Sequence, residues 1–235
     1  DVVGMFKPVT KWATSVINPH NIPEIVRKAF KLAETEKPGA CHIELPEDIA
    51  AMDVSGEAPL PIRKIRRPVC DSKVFNQGLE LIRSAKRPII LAGNGAIRKR
   101  ASKQLRLFAE TNGISVINTF MGKGAVDRNA PECLFTAGLQ SRDHVSCAID
   151  RADLVIAIGY DLVEYHPRLW NDGGNKKIVH IDFLPAETDK DYAPELEIIG
   201  DIAHTLWMLN ERTDEEPLGF DLAVNAGYRE EMQKD

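Results

Sequence analysis

Between residues 88 and 199 the chain repeats one pattern: a short, almost unbroken apolar run, a break at a polar or glycine residue, then apolar residues recurring every three or four positions. Pro88-Ile89-Ile90-Leu91-Ala92 breaks at Gly93-Asn94-Gly95, and Ile114-Ser115-Val116-Ile117 at Asn118. Leu154-Val155-Ile156-Ala157-Ile158 breaks at Gly159, Ile178-Val179-His180-Ile181 at Asp182, and Leu196-Glu197-Ile198-Ile199 at Gly200-Asp201. Apolar runs this short, with little polar alternation, predict strands buried on both faces, as in a parallel sheet covered by helices. Helical spacing appears around residues 74–83, through Leu105, Leu107, Phe108 and Ala109 up to Asn112-Gly113, around 144–149, and over 202–209. The predicted fold class is α/β, a Rossmann-like parallel sheet with helices on both faces, spanning residues 71–210.

Ahead of this domain the pattern is thinner. Asn21-Ile22-Pro23-Glu24 offers a helix start, and Ile22, Ile25, Val26, Ala29, Phe30 and Ala33 continue at helical spacing until Pro38-Gly39. Cys41, Ile43 and Leu45 alternate with His42 and Glu44, a strand ended by Pro46. One helix and one strand cannot close a core, so residues 1–52 read as a helix-strand remnant of a second α/β domain. Residues 53–70 carry Gly56, Pro59, Pro61, Pro68 and the basic run Arg63-Lys64-Ile65-Arg66-Arg67, and read as a linker. The charged tail, residues 211–235, reads as another linker, toward a further domain. A start at Asp1 instead of methionine suggests a piece of something longer.

Composition narrows the function classes. With 30 Lys+Arg against 35 Asp+Glu the formal charge is −5, which argues against nucleic acid as a partner. The 43% hydrophobic and 28% charged content is that of a globular chain and excludes disorder and collagen. No stretch reaches the roughly 18 apolar residues that a spanning helix needs, and no leader is visible, so no membrane partner and a cytoplasmic location are expected. Cys41, Cys70, Cys133 and Cys147 form no CxxC pair and have no histidine at zinc spacing. They read as free thiols in a reducing compartment.

In a parallel sheet, ligands bind beyond the carboxyl ends of the strands, so candidate chemistry belongs in the loops found there. Gly93-Asn94-Gly95 resembles the opening of a dinucleotide fingerprint, but Arg98 stands where the third glycine would be, and a plain tight turn is an equal reading. Met121, Gly122 and Lys123 place a cation in a flexible loop that faces either a phosphate or solvent. Gly159, Tyr160 and Asp161 follow another strand. Asp182, at a strand end, can hydrogen-bond a ribose or cap the next turn. Ser141, Asp143 and His144 are too close in sequence for a triad and read as a helix start. His42 and His180 lie in strand patterns and read as structural. No metal site is expected. The residues alone predict a nucleotide-sized crevice without an evident reaction.

Specific strings go further. Phe6-Lys7-Pro8-Val9-Thr10-Lys11-Trp12 and Pro38-Gly39-Ala40-Cys41-His42-Ile43-Glu44-Leu45-Pro46-Glu47-Asp48 resemble the end of the pyrimidine-binding domain of thiamine diphosphate (ThDP) enzymes. Residues 87–95, 118–124 and 177–182 look like the central domain of the same enzymes. Gly159-Tyr160-Asp161-Leu162-Val163-Glu164-Tyr165, with Trp170-Asn171 and the segment 192–203, is similar to the catabolic, FAD-independent acetolactate synthases. FAD-binding members usually carry an arginine where Asp161 stands, so the resemblance implies that FAD is not bound, since an acid repels a diphosphate. It also implies a parent enzyme that condenses two pyruvates to 2-acetolactate with release of CO2, using ThDP and Mg2+ held by regions absent here. No Gly-Asp-Gly occurs in the chain, and Gly200-Asp201-Ile202 is not one. The fragment alone is therefore expected to be inactive, with no catalytic residue except Lys11, which matches a lysine near the substrate channel mouth. The strand-end loops match the crevice that holds FAD in relatives. Expected partners are the remaining domains of the parent and further copies of it, as a homodimer or homotetramer. Other ThDP carboligases or decarboxylases fit the same strings, and a non-catalytic nucleotide-binding module is the reading from a different class.

Overall fold

Helix α1 (Val2–Phe6) opens the chain, with the Asp1 carboxylate accepting the Gly4 N–H at 2.8 Å. Strand β1 (Trp12–Ser15), helix α2 (Ile22–Glu34) and strand β2 (Cys41–Glu44) then form a right-sized strand-helix-strand crossover, and α3 (Glu47–Ala50) follows. The strands pair in parallel, in a register running from Trp12 opposite Cys41 to Ser15 opposite Glu44. The sequence pattern predicts one strand here and the structure contains two. Trp12-Ala13-Thr14-Ser15 has no apolar alternation, and all four residues are only half-buried, so β1 has no hydrophobic signature. One face of α2 stays bare. Phe30 is 61% exposed, and with Val26, Leu60 and Ile62 it lines an open apolar groove of about 430 Å3, surface of the kind that a further domain covers.

The computed structural model describes residues 1–98, 100–138 and 144–234, and separates into two compact units, Asp1–Arg66 and Arg67–Asp235. The second unit is the larger. Its helices are α4 (Ser72–Ser84), α5 (Ala101–Asn112), α6 (His144–Arg151), α7 (Ile202–Thr213) and α8 (Ala226–Lys234). Its strands are β3 (Pro88–Ala92), β4 (Ser115–Asn118), β5 (Cys133–Thr136), β6 (Leu154–Ile158), β7 (Lys177–Asp182) and β8 (Leu196–Ile199). All six strands run parallel in the order β5-β4-β3-β6-β7-β8. This is the expected Rossmann-like α/β architecture. Alternate residues of one strand serve opposite faces. Ile90 and Ile156 pack with Phe75, Leu105, Phe108 and Leu206 of α4, α5 and α7. Ile89 and Val155 pack on the other side with Ile149 of α6 and with Tyr160, Trp170 and Tyr192. With both faces covered, every position of β3 and β6 is buried, and this is why those strands read as continuous apolar runs.

Two expectations need correction. The tail is no linker: α8 packs against α6 and β5, Tyr228 and Met232 lie against the core, and Arg229 donates to the Cys133 carbonyl at 3.1 Å. Asn112 ties in the preceding stretch, its side chain accepting the Leu218 N–H at 2.9 Å and its carbonyl the Phe220 N–H at 3.0 Å. Within α8 only Tyr228 and Met232 are large apolar residues, among charges, which makes its periodicity faint. At the other junction the second unit already includes Arg67 to Cys70, because Asp201 pairs with Arg67 and donates its N–H to Pro68 at 2.9 Å. Strand β5 has no sequence signal either, being a four-residue edge strand with Phe135 at a φ of 62°.

Candidate functional site

Strand β3 stands at the topological switch point of the sheet: the chain leaves it toward β4 on one side, and returns to pair it with β6 on the other. The loops after β3, β4 and β6 therefore meet above its carboxyl end. Hydrogen bonds carry the strand pairing on into these loops. The Gly93 N–H donates to Ile158 O at 3.0 Å, Gly95 N–H to Gly159 O at 2.8 Å, Gly159 N–H to Ile181 O at 2.9 Å and Thr119 N–H to Ala92 O at 2.9 Å.

The glycines let these loops touch backbone to backbone. A Cβ on Gly93 would stand 2.4 Å from Gly159 O, one on Gly95 2.6 Å from Gly159 Cα, and one on Gly122 2.1 Å from Ala92 O. Gly159 also has a φ of +57°. Of the two readings of Gly93-Asn94-Gly95, the structure favours the tight turn. The N–H groups of Gly93, Gly95, Gly122 and Gly159 all donate within the protein, so none of them forms an open cradle for phosphate.

A residue not singled out in the sequence occupies the centre. Glu164, 5% exposed, aims its carboxylate into the switch point, where it accepts the Asn94 N–H at 3.1 and 3.0 Å on its two oxygens and the Thr119 hydroxyl on one of them. Its Oε2 lies 3.0 Å from where a Cβ of Gly93 would be. Burial pushes its pKa above the ordinary glutamate range, and the charge of Asp161 adds to this; the bonds from Thr119 and Asn94 and the charge of Arg98 pull the other way. The sequence signal was present in the string 159–165, but nothing in it distinguished this acid from Asp161. The position facing the β3 turn thus holds a carboxylate.

The remaining candidates scatter. Asp161 is half-buried and accepts the Val163 N–H at 3.2 Å. The Tyr160 ring is 4% exposed and lies in the core, among Trp170, Tyr192 and the Tyr165 carbonyl to which its hydroxyl donates. Burial raises its pKa far above the usual phenol value, so it acts as packing. Asp182, 7% exposed, caps the turn after β7 by accepting the Phe183 N–H. Met121 and Lys123 are exposed. Lys11, in the first unit, donates at 2.7 Å to both Leu32 O and Thr35 O, satisfying carbonyls at the end of α2. His180 is satisfied by the Tyr192 hydroxyl at 2.8 Å and Leu184 O at 3.1 Å, as its strand position suggested. Ser141 and Asp143 lie outside the described residues. Among the described residues no three His, Cys, Asp or Glu side chains converge as metal ligands, and no helix is long and apolar enough to cross a membrane.

Comparison with known proteins agrees with this architecture. Residues 75–209 match the family described as thiamine pyrophosphate enzyme, central domain. The chain is 35% identical to "Acetolactate synthase, catabolic" of Raoultella terrigena over 91% of its own length and 38% of that protein's. It is 35% identical to "Probable acetolactate synthase large subunit" of Methanocaldococcus jannaschii, over 88% of this chain and 36% of the relative, and 30% identical to "Acetolactate synthase" of Bacillus subtilis, over 88% and 36%. It thus spans a little over a third of the length of these relatives. With its parallel sheet and the matched residues taken together, the chain belongs to the thiamine pyrophosphate enzyme family, whose central domain it carries.

Proposed function

We propose that this chain is the central portion of an acetolactate synthase, which condenses two pyruvates to 2-acetolactate with loss of CO2. The observation that carries this reading is the 35% identity to the catabolic enzyme of Raoultella terrigena, which runs through both units of the chain. In this reading ThDP and Mg2+ are held by regions outside these residues. The nearest likeness to a diphosphate motif, Gly200-Asp201-Ile202, does not fit the cofactor: Asp201 is 8% exposed, pairs with Arg67 and accepts the His204 N–H at 2.8 Å as the cap of α7. The crevice does not fit flavin either, since its amides are spent within the protein and Glu164 faces the β3 turn. The role left for the chain is scaffolding: it fixes the positions of the domains that carry the cofactor, in a homodimer or homotetramer of the full-length parent. The bare groove beside α2 supports the existence of such neighbours.

The test is an assay of the full-length protein with pyruvate, ThDP and Mg2+, with and without added FAD, following CO2 release and acetolactate by mass spectrometry. Acetolactate formed equally with and without FAD is the expected result. Release of CO2 with acetaldehyde as product, or activity that requires FAD, overturns the proposal.

A further inference from the structure

The switch-point crevice contains three features that belong together. Its only charged group aimed inward from the β6 loop among the described residues is Glu164, and burial of this kind is tolerated only where a carboxylate finds donors. The donors come from two other loops, the Asn94 N–H after β3 and the Thr119 hydroxyl after β4. Thr119, itself 0% exposed, is held in turn, its Oγ1 accepting the Gly122 N–H at 2.9 Å. The arrangement is that of an enclosed anion in a bound state, except that the anion is tethered to the chain.

We propose that Glu164 is the crevice's built-in ligand: its carboxylate occupies a small-anion site formed by Asn94 and Thr119, clamps the three switch-point loops together, and excludes free anions from the site. Glu164 is here a specificity-determining and positioning residue and touches no reacting atom. The inference does not depend on the pyruvate reaction, because it concerns only donors and acceptors within the second unit.

Glu164→Ala removes a CH2–COO⁻ group, the atoms of acetate, and leaves its two donors in place. The 235-residue protein and this variant are melted at pH 7, by intrinsic fluorescence, in sodium acetate and in sodium chloride at matched ionic strength. The expected result is a lowered Tm for Glu164→Ala that acetate raises saturably, by about 2 °C or more beyond chloride, with no acetate-specific rise in the parent protein. Equal responses of the two proteins to acetate and chloride overturn the proposal. Should Glu164→Ala not fold, the Asn94 amide resonance decides, followed against pH in the parent protein and in Glu164→Gln. A carboxyl titration reported by that amide in the parent and lost in Glu164→Gln supports the bond. An Asn94 amide that titrates identically in both overturns it.

Discussion

Replacing Gly159 with alanine tests whether the switch-point glycines serve packing between loops. The residue sits at a φ of +57°, where a side chain costs about 1–2 kcal/mol by itself. Its Cβ would stand 2.4 Å from Gly95 Cα and 2.5 Å from Ala96 N. Both are backbone atoms in the adjoining loop, so relief requires moving that loop and loosening the bonds Gly95 N–H to Gly159 O and Gly93 N–H to Ile158 O. Overpacking of this sort adds about 1–3 kcal/mol, for a total of about 2–5 kcal/mol. Gly124→Ala is the matched control. Gly124 has a φ of +97° but nothing within 4 Å of its Cβ, so it carries backbone strain without overlap. Urea unfolding followed by fluorescence of the buried Trp170 reads the difference, and with a slope of about 2 kcal/mol per molar, Gly159→Ala shifts the midpoint downward by about 1–2.5 M. A loss for Gly159→Ala no greater than for Gly124→Ala refutes the claim that the glycines are there for contact between the loops.

Three other outcomes follow from the packing. Because the Glu164 pKa is raised in the folded state, the native protein holds its proton where the unfolded chain, with a value of about 4.3, has lost it. Stability relative to Glu164→Gln therefore declines as pH climbs from the ordinary glutamate value through the raised one and is level above it; denaturant titrations at a series of pH values check this, and a difference independent of pH contradicts it. Asn112→Ala, at a residue 0% exposed, strands the Leu218 N–H and removes the donor to the Thr213 hydroxyl oxygen, and costs about 1–3 kcal/mol, with faster hydrogen exchange at Leu218 as the local readout. Among the thiols, exposed Cys147 reacts first with iodoacetamide, while Cys70 and Cys133, both buried and the latter with its pKa raised by burial, react only after unfolding, as peptide mapping of the alkylated sites shows.

The central sheet was legible from residues because strands covered on both faces must be apolar at every position, and the runs at 88–92 and 154–158 announce this without reference to anything distant. Strand β1 was not, since a half-buried strand of Trp, Ala, Thr and Ser carries no periodicity, and its partner β2 lies about thirty residues on. The family, too, could be recognised from the strings of residues along the chain.

The candidate site divides in the same way. The chain itself determined that loops rich in glycine would follow β3 and β6 and that their ligand side would be the carboxyl edge. Only the tertiary structure decided what the glycines do, because a Cβ on Gly93 is harmless until Gly159 O stands 2.4 Å away, and that proximity depends on two strands separated by more than sixty residues pairing side by side. The same holds for Glu164. A glutamate in a loop is ordinarily solvated, and its burial against Asn94 and Thr119 exists only once three loops from different crossovers are brought together, since hydrogen bonds and steric exclusion act over a few ångströms of space and take no account of separation along the chain.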